Sequence, residues 1–504
     1  MKNMKDIIKK LKSKFQLDKN ETLFIQRLNQ KNYKSKKIST AVLMNKDYYF
    51  LIQLHFLINQ KNIDSNSIIA IWPYNIYFKG VKSSNLVSYI KFKIINFLEK
   101  KKWKKLYQSI GINNFSDFEN FNLKNNIKCI FQILRNNFKK KNVKLNLRNR
   151  EIKISDLILE TYIRFSFSHR INYDSFFLKY IYFKSLIAHQ KIKIIYKRHK
   201  ILKFFCSYTS YVQHGLPTRY FLNKNVECVS LYSNTGYNKK LSILDNSHIE
   251  NTKNIKKKID HKKLKMTDSI LKKKFLGEGN HATPYMISNP YKKNNFKLKN
   301  ADPIDGVLFL HDFYDSYSIY KLFFFKDYYD WTIFTLDIIQ KYNLNIWVKP
   351  HPNSLPENQI IINILKNKYP SLNWISSKIS NKSLFLNIKF GISLHGSILY
   401  EMAYHGITSI SGGAKHHSLN FNFVFTAKNK KHYKYLIKNG TKIKKKNNFS
   451  RKILEFYYLF SIQDNDYLKT DAKKYNLRQY MFKNSQSLVE YTRSIDEKKN
   501  FNTL

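Results

Sequence analysis

Hydrophobic positions along this chain fall into short runs separated by longer mixed stretches, the pattern of strands alternating with helices. In the first half, residues 67–72, 201–206 and 227–231 each read as a buried strand. The stretches between them have room for helices, so parallel βαβ units are expected. Residues 1–40 read as basic, amphipathic and helical, with Ile7, Ile8, Leu11 and Phe15 at helical spacing. Residues 236–300 break the pattern. They are polar and rich in Lys and Asn, with lysine runs at 256–258, 262–263 and 272–274, and Gly277 and Gly279 punctuate them. An inter-domain connection carrying a helix or two is expected there.

The second half is more regular. Strands are expected at 306–311, 345–349, 372–375, 388–393 and 408–411, and helices at 316–342, 355–369 and 398–405, the last closed by Gly406. Residues 430–504 read as helical and basic. The fold class is therefore α/β, and the loops at the carboxyl ends of the strands are where such a sheet binds ligands.

Length changes the picture little: 504 residues suit two or three domains. With 43% hydrophobic and 16% aromatic residues the chain can bury sizeable cores, which excludes a disordered protein despite 90 Lys and Arg against 34 Asp and Glu. Two causes of the +56 balance stay open. It suits an anionic membrane surface or a nucleic acid as partner. A chain crowded with Lys, Asn, Ile, Tyr and Phe, holding only 13 Gly and 9 Pro, is also what an AT-rich coding sequence produces. The charge is spread rather than gathered in one tract, and no recognition helix, RNA-binding signature or zinc spacing is present, so no specific nucleic-acid partner is expected. Cys129, Cys206 and Cys228 form a sparse, odd set without metal-ligand spacing, as in a reducing cytoplasm. No signal-peptide core and no run of 18 apolar residues is seen, so membrane contact is expected to be peripheral.

Candidate chemistry sits where predicted strands end. Lys349, Pro350, His351, Pro352 and Asn353 follow one strand. Two prolines stiffen that loop, so the imidazole of His351 is fixed and can bond a phosphate oxygen; a turn histidine without a ligand is the alternative. His395, Gly396 and Ser397 follow another strand, with Glu401 one turn on. Gly396 allows close backbone approach, Ser397 is placed as an N-cap, and Glu401 can accept from ribose hydroxyls; a capped core helix is the alternative. In the first half His214, Gly215, Pro217 and Arg219 repeat the design, with His214 as base or phosphate contact and Arg219 as anion clamp, or a surface arginine. Asp312 and Asp315 close the strand ending at His311 and either act as base or cap the next helix. Asp156 is a further candidate base or a plain surface carboxylate. His416 and His417 lack further ligands at useful spacing, so no metal is expected.

Together, Lys349 to Pro352, then His395, Gly396, Ser397 and Glu401, then Gly406 before a strand, resemble the capsule polysaccharide biosynthesis glycosyltransferases, which include Kdo-transferase-like and polysialyltransferase-like enzymes. The CDP-glycerol glycerophosphotransferases are similar in plan, and His214, Gly215 and Pro217 resemble their His-Gly-x-Pro segment. The chain departs from many relatives in having His395, Gly396 and Ser397 where they carry paired serines. The resemblance implies two Rossmann-like domains facing across a cleft, the GT-B arrangement: an acceptor-side domain over 1–235, a connection over 236–300, a nucleotide-sugar domain over 301–430 and terminal helices over 431–504. It implies a metal-independent transfer, without cofactor, from a nucleotide-sugar donor, CMP-linked by preference, to a polysaccharide or lipid-linked acceptor. His214, Asp156 or Asp312 would take the acceptor proton, while His351 and the Ser397 helix start would stabilise the leaving phosphate. The rival enzymes are a CDP-glycerol-type glycerophosphotransferase and a sugar-nucleotide 2-epimerase, the latter sharing the plan and a His-Pro-Asn after a strand. An inactive scaffold of a polysaccharide assembly and a nucleic-acid binder are the rivals without chemistry.

Overall fold

A computed structural model describes residues 9–28, 37–73, 75–76, 86–118, 127, 148–149, 152–232, 237–249, 259–277, 291, 304–443, 449–462 and 484–501. Ile7, Ile8, Cys129, Gly279 and the lysine run at 256–258 lie outside them. The chain divides into two α/β units, Met1–His248 with Asp464–Leu504, and Ile249–Gln463.

Unit 1 is built on strands β1 (Thr40–Leu43), β2 (Ile68–Trp72), β3 (Asn114–Asp117), β6 (Lys203–Cys206), β7 (Glu227–Tyr232) and β8 (Tyr237–Lys240). The remaining two, β4 (Arg148–Asn149) and β5 (Ile152–Lys153), pair with each other antiparallel. The sheet order is β3-β2-β1-β6-β7-β8, parallel except for the antiparallel β8. Every residue of β1 and β2 is buried, which is why these strands read as continuous apolar runs rather than alternating ones. The helices are α1 (Lys19–Leu28), α2 (Tyr48–Gln60), α3 (Leu86–Ser109), α4 (Ser155–Ser166), α5 (Phe176–Arg198) and α6 (Tyr211–Asn223). Asp47 starts α2 by accepting from Phe50 N at 2.8 Å, and the helix then runs through the core with residues 49–58 buried. The last helix, Gln486–Phe501, returns to this unit: Leu488 and Tyr491 join Phe24, Phe50, Leu106 and Tyr107 in one apolar cluster, and the Tyr491 hydroxyl lies 2.9 Å from His55 Nδ1. The expected block of helices over 431–504 is thus divided between the units. The expected boundary at 235 moves to His248, because β8 pairs with β7 and His248 accepts from Thr209 N.

Unit 2 carries β9 (Ile304–Phe309), β10 (Ile346–Lys349), β11 (Ile388–Ser393), β12 (Thr408–Ser411) and β13 (Phe425–Thr426), all parallel, in the order β10-β9-β11-β12-β13. Trp374 adds an isolated parallel bridge to Val348 outside β10. Ranked by appearance, both sheets then read 3-2-1-4-5-6, the Rossmann order, so the described chain is α/β with two Rossmann-like units. The helices are α7 (His261–Phe275), α8 (Tyr328–Lys341), α9 (Asn358–Lys368), α10 (Asn381–Phe385), α11 (Ile398–Tyr404), α12 (Lys430–Lys438) and α13 (Phe449–Tyr457).

The long helix expected over 316–342 is half a loop. Lys321 takes φ +45°, which no α-helix tolerates, and Asp327 caps α8 by accepting from Asp330 N at 2.8 Å. The freed stretch is pinned by backbone bonds from Phe323 N to Gly413 O and from Lys415 N to Tyr320 O.

Candidate functional site

In a 3-2-1-4 sheet the chain leaves the first strand on one side and the fourth on the other, which opens a crevice at their carboxyl ends. In unit 2 these strands are β9 and β11, and each runs into a histidine two residues past its end. His311 and His395 meet there with ring centroids 4.1 Å apart. Tyr320 stacks on His395 at 3.5 Å and 13°, and His311 lies nearly parallel to Tyr328 at 5.1 Å. His351, in the loop after β10, is close enough that its charge would lower the pKa of both.

The hydrogen bonds assign the tautomers. The Tyr328 hydroxyl donates to Ser316 O at 3.0 Å, so at 2.8 Å from His395 Nε2 it receives the ring hydrogen. His395 Nδ1 is then an unprotonated lone pair, buried and without a partner among the described residues. His311 Nε2 accepts from His395 N at 3.3 Å, and His351 Nδ1 accepts from Asn353 N at 3.2 Å. Burial first, and mutual repulsion second, holds these rings neutral: His311 is pushed down to about 3, and His395 falls well below the usual histidine range. Burial and Lys349 also lower His351, against the pull of Asp312. The sequence places His311 in view, but attention to the carboxylates beside it hides its part in the cluster.

The other expected donor-site residues do not all join this crevice. Gly396 takes φ +99°, in the region open to glycine, and a Cβ there would meet only His311 Cε1 at 3.8 Å. Ser397 occupies the N-cap position of α11 but is exposed, with φ −64° and ψ −30°, and its side chain makes no capping bond. Lys349, 1% exposed, is committed inside the unit: Nζ donates to Ile379 O at 2.7 Å and Asn381 Oδ1 at 2.6 Å, and burial lowers its pKa to about 7 despite Glu401. Glu401 is not offered to a ribose either, since Lys274 Nζ bonds Oε1 at 2.7 Å and the Tyr291 hydroxyl bonds Oε2. Asp312 bridges loops: Oδ1 accepts from Tyr314 N and Asn358 Nδ2 at 2.9 Å each, and Oδ2 from Leu355 N at 3.0 Å. Those bonds fix the half-buried His351-Pro352 turn against the β9 loop and leave the carboxylate poorly placed as a base. His416 has hydroxyls on both nitrogens, Ser418 Oγ at 3.1 Å and Thr426 Oγ1 at 2.8 Å.

Unit 1 repeats the switch in strand order, between β1 and β6. His214 lies in the first turn of α6, after β6, with its ring 5.8 Å from Tyr208. Burial, and then Lys46 beyond the end of β1, lowers its pKa to about 4, so it is an unprotonated base at neutral pH. Asp156 and Arg219, by contrast, are spent on each other. Arg219 donates to both carboxylate oxygens at 2.7 and 2.6 Å and to Lys153 O at 2.7 Å, and against burial it holds the Asp156 carboxyl below its usual range. Gly215 is a packing residue within α6: a Cβ there would lie 2.6 Å from Thr209 O and 2.5 Å from Leu157 Cδ2. A cavity of about 370 Å³ at the ends of β2 and β3, lined by Trp72, Lys100, Lys104, Asp117 and Arg198 among others, has no signal in the sequence.

No family model and no curated protein matches the chain. Among solved structures it is similar to a UDP-GlcNAc 2-epimerase from Neisseria meningitidis bound to UDP-GlcNAc, at 10% identity over 92% of this chain and 99% of that one, with a TM-score of 0.20. A likeness that faint carries no argument about activity.

Proposed function

We propose that this chain is a nucleotide-sugar-dependent glycosyltransferase acting on a bacterial capsule or other surface polysaccharide, with a CMP-linked donor preferred and no metal required. Support comes first from one observation: His311 and His395 pack together at the topological switch of a Rossmann sheet, on the loops that follow β9 and β11, with His351 on the loop after β10 within electrostatic reach of both. Rings of that kind suit a nucleotide phosphate and the charge that grows on it as the sugar departs. His214 is the base for the acceptor hydroxyl; Asp156 and Asp312 yield that role because their oxygens already receive strong donors. The excess of 90 basic over 34 acidic residues suits attachment to an anionic membrane surface, and no described helix is long and apolar enough to cross one.

A thermal-shift panel of CMP, CDP, UDP and GDP tests the donor site. A ligand at 100 times its Kd should stabilise by about 2.7 kcal/mol, and His311→Ala and His351→Ala should each abolish the shift. With the preferred sugar nucleotide, His351→Ala should lower turnover about 10²–10³-fold. Full stabilisation of the His351→Ala protein by every nucleotide that stabilises the wild type removes the site. Conversion of a nucleotide sugar to its epimer without an acceptor makes the chain an epimerase instead.

A further inference from the structure

The lone pair on His395 Nδ1 is buried and has no donor among the described residues. The ring has little freedom to find one: Tyr320 is stacked on it at 3.5 Å, His311 packs at 4.1 Å, and Nε2 is tied to the Tyr328 hydroxyl at 2.8 Å. An acceptor left this way is costly, and in a native site it points to something that completes it.

The groups around it say what. His311 packs on it from the end of β9, and His351, on the loop after β10, and His416 and His417, beyond β12, lie within electrostatic reach of it. Tyr320 and Tyr328 complete the wall. These are five of the chain's 15 histidines. Lys349 acts on His351 from the same side of the charge balance. The carboxylate in play is Asp312, which acts on His351 and has its oxygens engaged by Tyr314 N, Leu355 N and Asn358 Nδ2. Among the described residues, a proton added to His395 would therefore find cations or neutral rings nearby and no available counter-ion. It can settle there only together with an anion.

We propose that the histidine cluster is a proton-coupled phosphate site, in which a bound phosphate shares a proton with His395 Nδ1. This rests on the reading of the crevice as a phosphate site. The balance is simple: the proton comes from solvent, goes to the nitrogen that the Tyr328 hydrogen bond leaves open, and is held by the incoming anion. No other bond forms or breaks. The arrangement lets the site hold a leaving phosphate in acid form and release it as the proton is lost.

Calorimetric titration of the full chain with inorganic pyrophosphate near neutral pH, in two buffers of different ionisation heat, reads the protons taken up. The wild type should take up about one proton, and Kd should rise about tenfold per pH unit above neutrality. His395→Phe, which keeps a stacked ring, and His395→Gln, which keeps a hydrogen-bonding group beside Tyr328, should both lose the extra proton and the steep pH dependence. If one of them fails to fold, the other decides. CMP in a parallel titration separates a nucleotide phosphate from free phosphate: binding at least tenfold tighter than pyrophosphate, with the same uptake, assigns the ester. Binding by the wild type without proton uptake, or uptake undiminished in both variants, overturns proton coupling and leaves the phosphate site standing. No binding of either probe at any pH overturns the phosphate site as well.

Discussion

The buried Glu401 and the largely buried Lys274 form an ion pair at 2.7 Å in unit 2, and the Tyr291 hydroxyl donates to the second carboxylate oxygen. Burial and this carboxylate together hold the Tyr291 hydroxyl well above its usual range, so it stays a donor. Removing one side of such a pair strands the other charge. Glu401→Ala should destabilise the protein by about 3–5 kcal/mol, while Glu401→Leu with Lys274→Met should recover most of that loss. Urea unfolding of both variants beside the wild type checks it. A Glu401→Ala protein of wild-type stability that binds nucleotides weakly would return Glu401 to the ribose.

Arg219 and Asp156 fasten α6 to the start of α4 and to β5. Their side chains are 15% and 36% exposed, so solvent screens part of the attraction. A double-mutant cycle of Arg219→Ala and Asp156→Ala should give a coupling of about 1 kcal/mol. Both single variants should still bind anions as well as the wild type does. Loss of anion binding at unchanged stability in Arg219→Ala would make it a clamp after all.

The strand ends around the unit 2 switch are legible in the sequence, because β9, β10, β11 and β12 are short apolar runs, as are β2, β6 and β7 in unit 1. β1 (Thr40–Leu43) has four residues and too little contrast to stand out, yet it holds the switch point of unit 1. Motif residues are legible as types but not as roles. Lys349 and Glu401 look like ligands until their partners are known, and those partners come from Asn381 and Lys274, the latter 127 residues away from Glu401. Tyr320 could not be placed at all: its stacking on His395 depends on a loop where the aromatic spacing imitates a helix.

Gly215→Ala tests close packing in unit 1. The added methyl would meet a backbone oxygen at 2.6 Å, which cannot swing aside as a side-chain tip can. A loss of about 1–3 kcal/mol is expected from forced shifts of α6 against Leu157 and Thr209. A drop in Tm shows it. Gly215→Ala at wild-type Tm with lost acceptor binding would instead favour direct contact with substrate.

Acid should unfold this protein through its histidines before its carboxylates. His311 and His416 are pushed down to about 3 and His214 to about 4, burial being the main cause in each. An unfolded histidine titrates near 6.5. Between that value and the depressed folded values the unfolded chain binds more protons, so stability rises with pH there. It is fully present above the unfolded value and falls away as pH drops below it. Asp156 acts in the same direction but in a lower window, since its folded pKa lies below the ordinary 3.8. Burial also raises the carboxyls of the caps Asp47 and Asp327, which act with the opposite sign, but the buried histidines outnumber them, and between pH 7 and pH 5 Tm should fall by roughly 5 °C or more. His416→Gln, which retains a polar partner for the Ser418 and Thr426 hydroxyls, should flatten the fall. Pyrophosphate should also flatten it, by giving the cluster around His395 a counter-ion. A Tm that stays level from pH 7 to pH 5 would mean that these rings are charged in the folded protein, and the neutral cluster on which the crevice depends would be lost with it.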